Sequence, residues 1–89
     1  MQIISLDDHD FPAVLELAQG GQSVGRIWRN GRIQVVTVTP NFMFVCPERA
    51  PGRVALTPVR SLQEAVSMAH QFLHREEERG NRVERVEEM

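Results

Sequence analysis

Apolar residues recur with helical spacing near the C-terminal end of the chain. Six of them follow the pattern i, i+3, i+4, i+7, i+10 and i+11: Leu62, Ala65, Val66, Ala69, Phe72 and Leu73. This spacing forms one stripe of a 3.6-residue helix. Ser61 and Glu64 have the spacing of a capping box, and Gly80 is suited to end a helix in a left-handed turn. We predict a helix between Ser61 and Arg79 that overhangs its sheet after His74.

The middle of the chain predicts a β-hairpin. Asn30-Gly31 is the sequence typical of a type I′ turn, and it separates residues 24–29 from residues 32–39. A two-residue loop places Arg29 opposite Arg32. These two like charges would be mildly unfavourable, so we expect carboxylates from the acidic ends of the chain, or from a partner, to offset them.

Three further features shape the predicted sheet. The apolar pattern shifts at Val35-Val36, which indicates either a bulge, with Gly25 as the candidate, or a sheet end buried on both faces. Residues 42–46 contain no polar side chain and predict an interior strand. Residues 54–59 predict another strand, which Pro58 either ends or confines to an edge.

The two termini give weaker patterns. Gln2–Leu6 predicts a short strand. Residues 11–19 have helical apolar spacing and favour a short N-terminal helix, with a strand over residues 13–17 as the alternative. Residues 81–89 are mostly charged, and we predict a flexible tail after a single domain that spans residues 1–80.

The predicted fold class is α+β. We expect an antiparallel β-meander of three to five strands packed against one C-terminal amphipathic helix, with the short N-terminal helix covering an end of the sheet. The predicted core consists of large apolar side chains: Trp28, Phe42, Phe44, Phe72, Leu62 and Leu73.

Size and composition fit a small bacterial or phage-type protein. The chain has 89 residues, which is enough for one modest core. A single cysteine, Cys46, cannot form an internal disulfide, and no apolar run approaches membrane-spanning length. We expect a cytoplasmic protein that does not bind membranes.

Charge is distributed unevenly along the chain. Residues 1–25 carry −4, residues 26–60 carry +5 and residues 61–89 carry −3, which together give −2. All ten basic residues are arginines, a bias that a GC-rich genome would explain. A net charge of −2 is low for a dedicated nucleic-acid-binding domain.

The residues that could support catalysis do not form a known motif. His70 and His74 lie on one helix flank at a spacing that could share zinc, but Gln71 stands where a metalloprotease carries glutamate. Cys46 has no histidine nearby in sequence to activate it. We therefore expect no enzyme activity, catalytic residue, metal or cofactor.

One constellation favours binding. Arg26, Trp28, Arg29 and Arg32 lie on the predicted hairpin, and guanidinium groups beside an indole can bind phosphates and stack on bases. The order of elements resembles that of AP2-type and integrase arm-binding domains, which implies DNA binding by the sheet.

The interpretation we prefer is a non-enzymatic regulatory module. It would bind a protein partner, or a second copy of itself, through the arginine-rich hairpin and the acidic helix end. Sheet-mediated nucleic-acid binding is the alternative.

Overall fold

A computed structural model of the chain describes residues 2–5, 20–47 and 53–86. These residues form six strands and one helix: β1 (Gln2–Ser5), β2 (Gln22–Arg29), β3 (Arg32–Val38), β4 (Phe42–Pro47), β5 (Arg53–Pro58), α1 (Leu62–Glu78) and β6 (Arg82–Arg85). The predicted α+β class, an antiparallel meander with a C-terminal helix, is confirmed. The predicted N-terminal helix and its strand alternative lie outside the described residues.

The strands form one antiparallel sheet in the order β1-β5-β4-β3-β2-β6. Its centre is a four-strand meander from β2 to β5, in which β4 is an interior strand as predicted and β5 ends at Pro58. The sheet has more strands than the predicted three to five. One reason is that residues 82–85, expected in a flexible tail, pair with β2, and half-buried Val83 packs against the core.

The hairpin has the predicted register. Arg29 lies opposite Arg32, and both residues of the connecting turn have positive φ, 51° at Asn30 and 73° at Gly31. The register shifts between Ser23 and Gly25, so the bulge prediction is confirmed. The extra residue, Val24, is turned into the core below the helix.

Both predicted ends of α1 are confirmed. At the N-terminus the Glu64 amide donates to the Ser61 hydroxyl at 3.1 Å, although the Glu64 carboxylate accepts from the Arg60 amide at 3.3 Å and not from Ser61. At the C-terminus Gly80 has a φ of +88°, and the Gly80 amide donates to the Glu77 carbonyl at 3.0 Å. The Asn81 amide donates to the Glu76 carbonyl at 3.1 Å, which completes a Schellman motif.

The main core lies between α1 and one face of the sheet. Its fully buried helix residues are Ala65, Ala69 and Leu73. Leu62, predicted to belong to the core, is 40% exposed because it is the first helical residue and lies before the part of the helix that contacts the sheet. The predicted overhang after His74 is also wrong, since Glu76 is only 2% exposed.

A smaller cluster lies on the face of the sheet away from α1. Phe44 and Val54 are fully buried there, and half-buried Phe42 packs against them. The remaining predicted core residues, Trp28 and Phe72, are both half-buried, and Phe72 packs against the main core.

Candidate functional site

The structure separates the four residues that the sequence groups as a binding site. Side chains alternate across a strand, so Arg26 and Trp28 lie on the face of β2 away from α1. Arg29 and Arg32 lie on the face that α1 covers. The hairpin therefore does not present one continuous surface of three arginines and an indole.

The side chain of Arg29 pairs with a buried carboxylate. Its Nη2 donates to Glu76 Oε1 at 2.5 Å, and Asn81 Nδ2 donates to Glu76 Oε2 at 2.5 Å. Arg79 Nη1 lies 3.7 Å from Glu76 Oε1. We call these four residues the Glu76 cluster. It connects the end of α1 to β2 and to the start of β6.

These neighbours keep Glu76 ionised inside the protein. Burial by itself raises the pKa of the Glu76 carboxyl group. The hydrogen bonds from Arg29 and Asn81, together with the positive charges of Arg29 and Arg79, outweigh burial and lower that pKa below its ordinary value. Glu76 and Arg29 in this cluster therefore form a structural ion pair.

Sequence reasoning identified Arg29 but missed Glu76. A signal for it exists, because Glu76 lies three residues after Leu73 and extends the buried face of the helix with a carboxylate. A charged residue in that position requires a buried partner. The expectation that a carboxylate from an acidic end offsets the Arg29–Arg32 pairing is met by Glu76.

A second group of charged side chains lies where β2 meets β6. The Arg82 guanidinium lies over the Trp28 ring, 4.8 Å from its centroid. Arg26 Nη1 lies 3.9 Å from Glu84 Oε1, with both side chains about half exposed. Arg26, Trp28, Arg82 and Glu84 share the face away from α1, and we call them the edge surface.

The last predicted site residue, Arg32, is exposed at the start of β3. It has no ion pair among residues 2–5, 20–47 and 53–86. On the helix side of β6, Arg85 forms an ion pair with Glu77. Thus the acidic helix end contacts arginines of the same chain.

The residues considered for metal binding or catalysis remain separate. His74 Nε2 lies 3.0 Å from Glu78 Oε1, an exposed contact one helical turn away. Burial raises the pKa of the Cys46 thiol, which disfavours a reactive thiolate. Within the described part of the chain, no three His, Cys, Asp or Glu side chains come together as metal ligands.

No protein-family model, curated protein or solved structure matches this chain. The described residues include no helix that is long and apolar enough to cross a membrane. The features of the described residues that bear on function are therefore the Glu76 cluster and the edge surface.

Proposed function

We propose that this chain is a non-enzymatic interaction module that associates with a second copy of itself through strand β6. The observation that carries the proposal is the self-complementary order of charges on β6, where Arg82 and Glu84 flank Val83. Among the described strands, β6 has a neighbour on one side only. An open strand edge is a template for pairing with another strand.

The backbone of β6 supports such pairing. The Val86 amide donates to the Val24 carbonyl at 2.9 Å, so the backbone groups of residues 82, 84 and 86 face β2 by antiparallel alternation. The amide and carbonyl groups of Val83 and Arg85 then face away from the sheet. Two copies related by a twofold axis at Val83 would exchange two backbone hydrogen bonds between their Val83 residues.

The side chains favour the same register. With Val83 on the twofold axis, Arg82 of each copy lies opposite Glu84 of the other, in a non-hydrogen-bonded pair that brings side chains closest. Each member of these pairs also has a neighbour in its own copy. Glu84 lies beside Arg26, and Arg82 lies over Trp28. Moving the twofold axis by one residue, from Val83 to Glu84, places Glu84 opposite Glu84 and is electrostatically unfavourable.

Reversing one charge tests this arrangement. Arg82→Glu turns both cross-strand pairs into like-charge contacts, and we expect self-association to weaken roughly ten- to hundredfold. The double variant Arg82→Glu/Glu84→Arg restores opposite charges across the axis and should recover part of the affinity, since it also loses the contacts of Glu84 with Arg26 and of Arg82 with Trp28. Sedimentation equilibrium over a range of protein concentrations at low salt measures both effects.

The matched control is Arg60→Glu, which makes the same charge change at an exposed residue before α1. It should self-associate like the wild type. Circular dichroism checks that each variant is folded. A wild type that stays monomeric at every concentration, or a double variant as weak as Arg82→Glu alone, would refute the proposal.

Nucleic-acid binding is the second candidate, because the edge surface places Arg26 and Arg82 beside Trp28. Stacking of a base on the indole would displace the Arg82 guanidinium and quench the fluorescence of the only tryptophan. A salt-sensitive quench of Trp28 by single-stranded oligonucleotides would favour this candidate. Unchanged fluorescence at low salt would eliminate it.

A further inference from the structure

A groove of about 310 Å³ lies between α1 and strands β4 and β5, on the opposite face of the sheet from the edge surface. Met43 and Thr57 line it from the sheet, and Met68 and Phe72 line it from the helix. Arg75 and Arg79 line it one helical turn apart. Its volume is at the lower end of the range of small-molecule sites.

The sheet side of the groove contains a polar group without a partner. Thr57 is only 8% exposed, and its hydroxyl is the one buried side-chain polar atom in the described residues that makes no hydrogen bond. A buried hydroxyl without a partner costs free energy, so native proteins usually satisfy it. Thr57 lines the groove, so a ligand oxygen that reaches this hydroxyl would give it a hydrogen-bond partner.

The charged residues that line the groove favour a ligand with a negative charge. Glu76 lines it too, but Arg29 at 2.5 Å neutralises that carboxylate. Arg75 and Arg79 then leave an excess of positive charge next to an apolar surface of methionine and phenylalanine. Methionine side chains are flexible and can pack against apolar ligands of different shapes.

We propose that this groove binds a small amphipathic carboxylate. The apolar part of the ligand lies against Met43, Met68 and Phe72, and the carboxylate group accepts from the Thr57 hydroxyl and pairs with Arg75 or Arg79. This binding does not depend on association through β6.

Octanoate is a suitable probe of the groove. In protein labelled with ¹³C at the methionine methyl groups, octanoate should shift the Met43 and Met68 signals with a dissociation constant on the order of 1 mM. Octylamine has the same apolar chain with the opposite charge, and octanol has the same chain with no charge. Both should bind at least tenfold more weakly, because neither can pair with Arg75 or Arg79.

Two nearly isosteric variants separate the role of the hydroxyl from packing. Thr57→Val removes the hydroxyl and keeps the shape, so we expect octanoate to bind about tenfold more weakly. Thr57→Ser keeps the hydroxyl and should bind within about twofold of the wild type. Arg75→Gln should weaken octanoate binding severalfold and leave octanol binding unchanged.

Three results would overturn the proposal. The first is that octanoate does not change the chemical shifts of the Met43 and Met68 methyl groups. The second is that octanoate, octanol and octylamine bind equally, which indicates adsorption to an apolar surface. The third is that Thr57→Val, checked as folded by its methyl spectrum, binds octanoate as well as the wild type does.

Discussion

At the scale of single residues, Glu76 makes the contacts that join the end of α1 to the sheet. Its carboxylate accepts from Arg29 on β2 and from Asn81 at the start of β6, both at 2.5 Å. A buried carboxylate without such donors would be strongly destabilising. The pair Arg29–Glu76 therefore fixes how the end of α1 sits on the hairpin.

Replacing Arg29 tests the importance of this pair. Arg29→Met removes one donor and leaves the 2% exposed Glu76 carboxylate with Asn81 and the more distant Arg79. We expect the free energy of unfolding, measured in urea, to fall by about 2–4 kcal/mol. The control Arg26→Met breaks an exposed pair at 3.9 Å and should cost less than about 1 kcal/mol.

The double variant Arg29→Met/Glu76→Met separates the effect of an unpaired buried charge from the effect of losing the ion pair. It removes both charges and keeps apolar volume, so it should recover most of the stability that Arg29→Met loses. Equal stability of the wild type and Arg29→Met would show that the pair contributes little.

The lowered pKa of Glu76 predicts a pH dependence. Because this pKa is lower in the folded protein than in the unfolded chain, Glu76 contributes stability above the unfolded value of about 4.3. That contribution is lost as the pH falls through the folded value. Urea unfolding between about pH 6 and pH 3 should show a steeper loss for the wild type than for Glu76→Gln. Parallel curves would contradict the assignment.

At the scale of elements, the bulge in β2 decides how closely α1 approaches the sheet. Val24 is the extra residue and enters the core, and Gly25 then lies directly beneath Leu73. A Cβ at Gly25 would lie 2.7 Å from Leu73 Cδ1 and 3.1 Å from the Glu84 carbonyl oxygen. Glycine is needed at this position because a side chain would not fit. It is not needed for an unusual backbone conformation, since Gly25 does not have a positive φ.

Gly25→Ala tests this close approach. Overpacking against the fully buried Leu73 should lower the free energy of unfolding by about 1–3 kcal/mol in urea or heat denaturation. In the double variant Gly25→Ala/Leu73→Ala the new methyl group occupies part of the vacated space. Its loss should be smaller than the sum of the two single losses. Additive losses would mean that the two residues do not compete for space.

The helix itself packs through a narrower stripe than its sequence suggests. Its buried residues, Ala65, Ala69, Leu73 and Glu76, follow i, i+4, i+8 and i+11. Two alanines in the first half allow the helix backbone to approach the sheet closely. The longer side chains of Met68 and Phe72 flank this stripe and line the groove.

At the scale of the whole molecule, the uneven charge along the chain becomes a set of internal contacts. Arg29 pairs with Glu76, Arg85 with Glu77, and Arg26 lies near Glu84. The sequence suggested that the arginine hairpin of one copy could meet the acidic helix end of another. In the folded chain these two segments already contact each other, so our proposal places self-association at the β6 edge.

The sequence alone determined those features that depend on a few neighbouring residues. Asn30-Gly31 set the hairpin register, Ser61 and Gly80 set the ends of α1, and the shift at Val35-Val36 located the bulge. Each of these is governed by local backbone preference or by the alternation of side chains. Such interactions act within one turn or one strand pair, and a linear pattern records them.

The tertiary structure decided which distant segments meet. A charged stretch such as residues 82–85 has no strong strand signal, and it becomes β6 because the edge of β2 offers backbone partners and the core accepts Val83. Likewise, Glu76 is buried only because Arg29 comes to it from 47 residues earlier in the chain. Local periodicity can place Glu76 on the buried face of α1, but it does not identify Arg29 as the partner. The free energy of such pairings depends on burial and on the charges brought together by the complete fold.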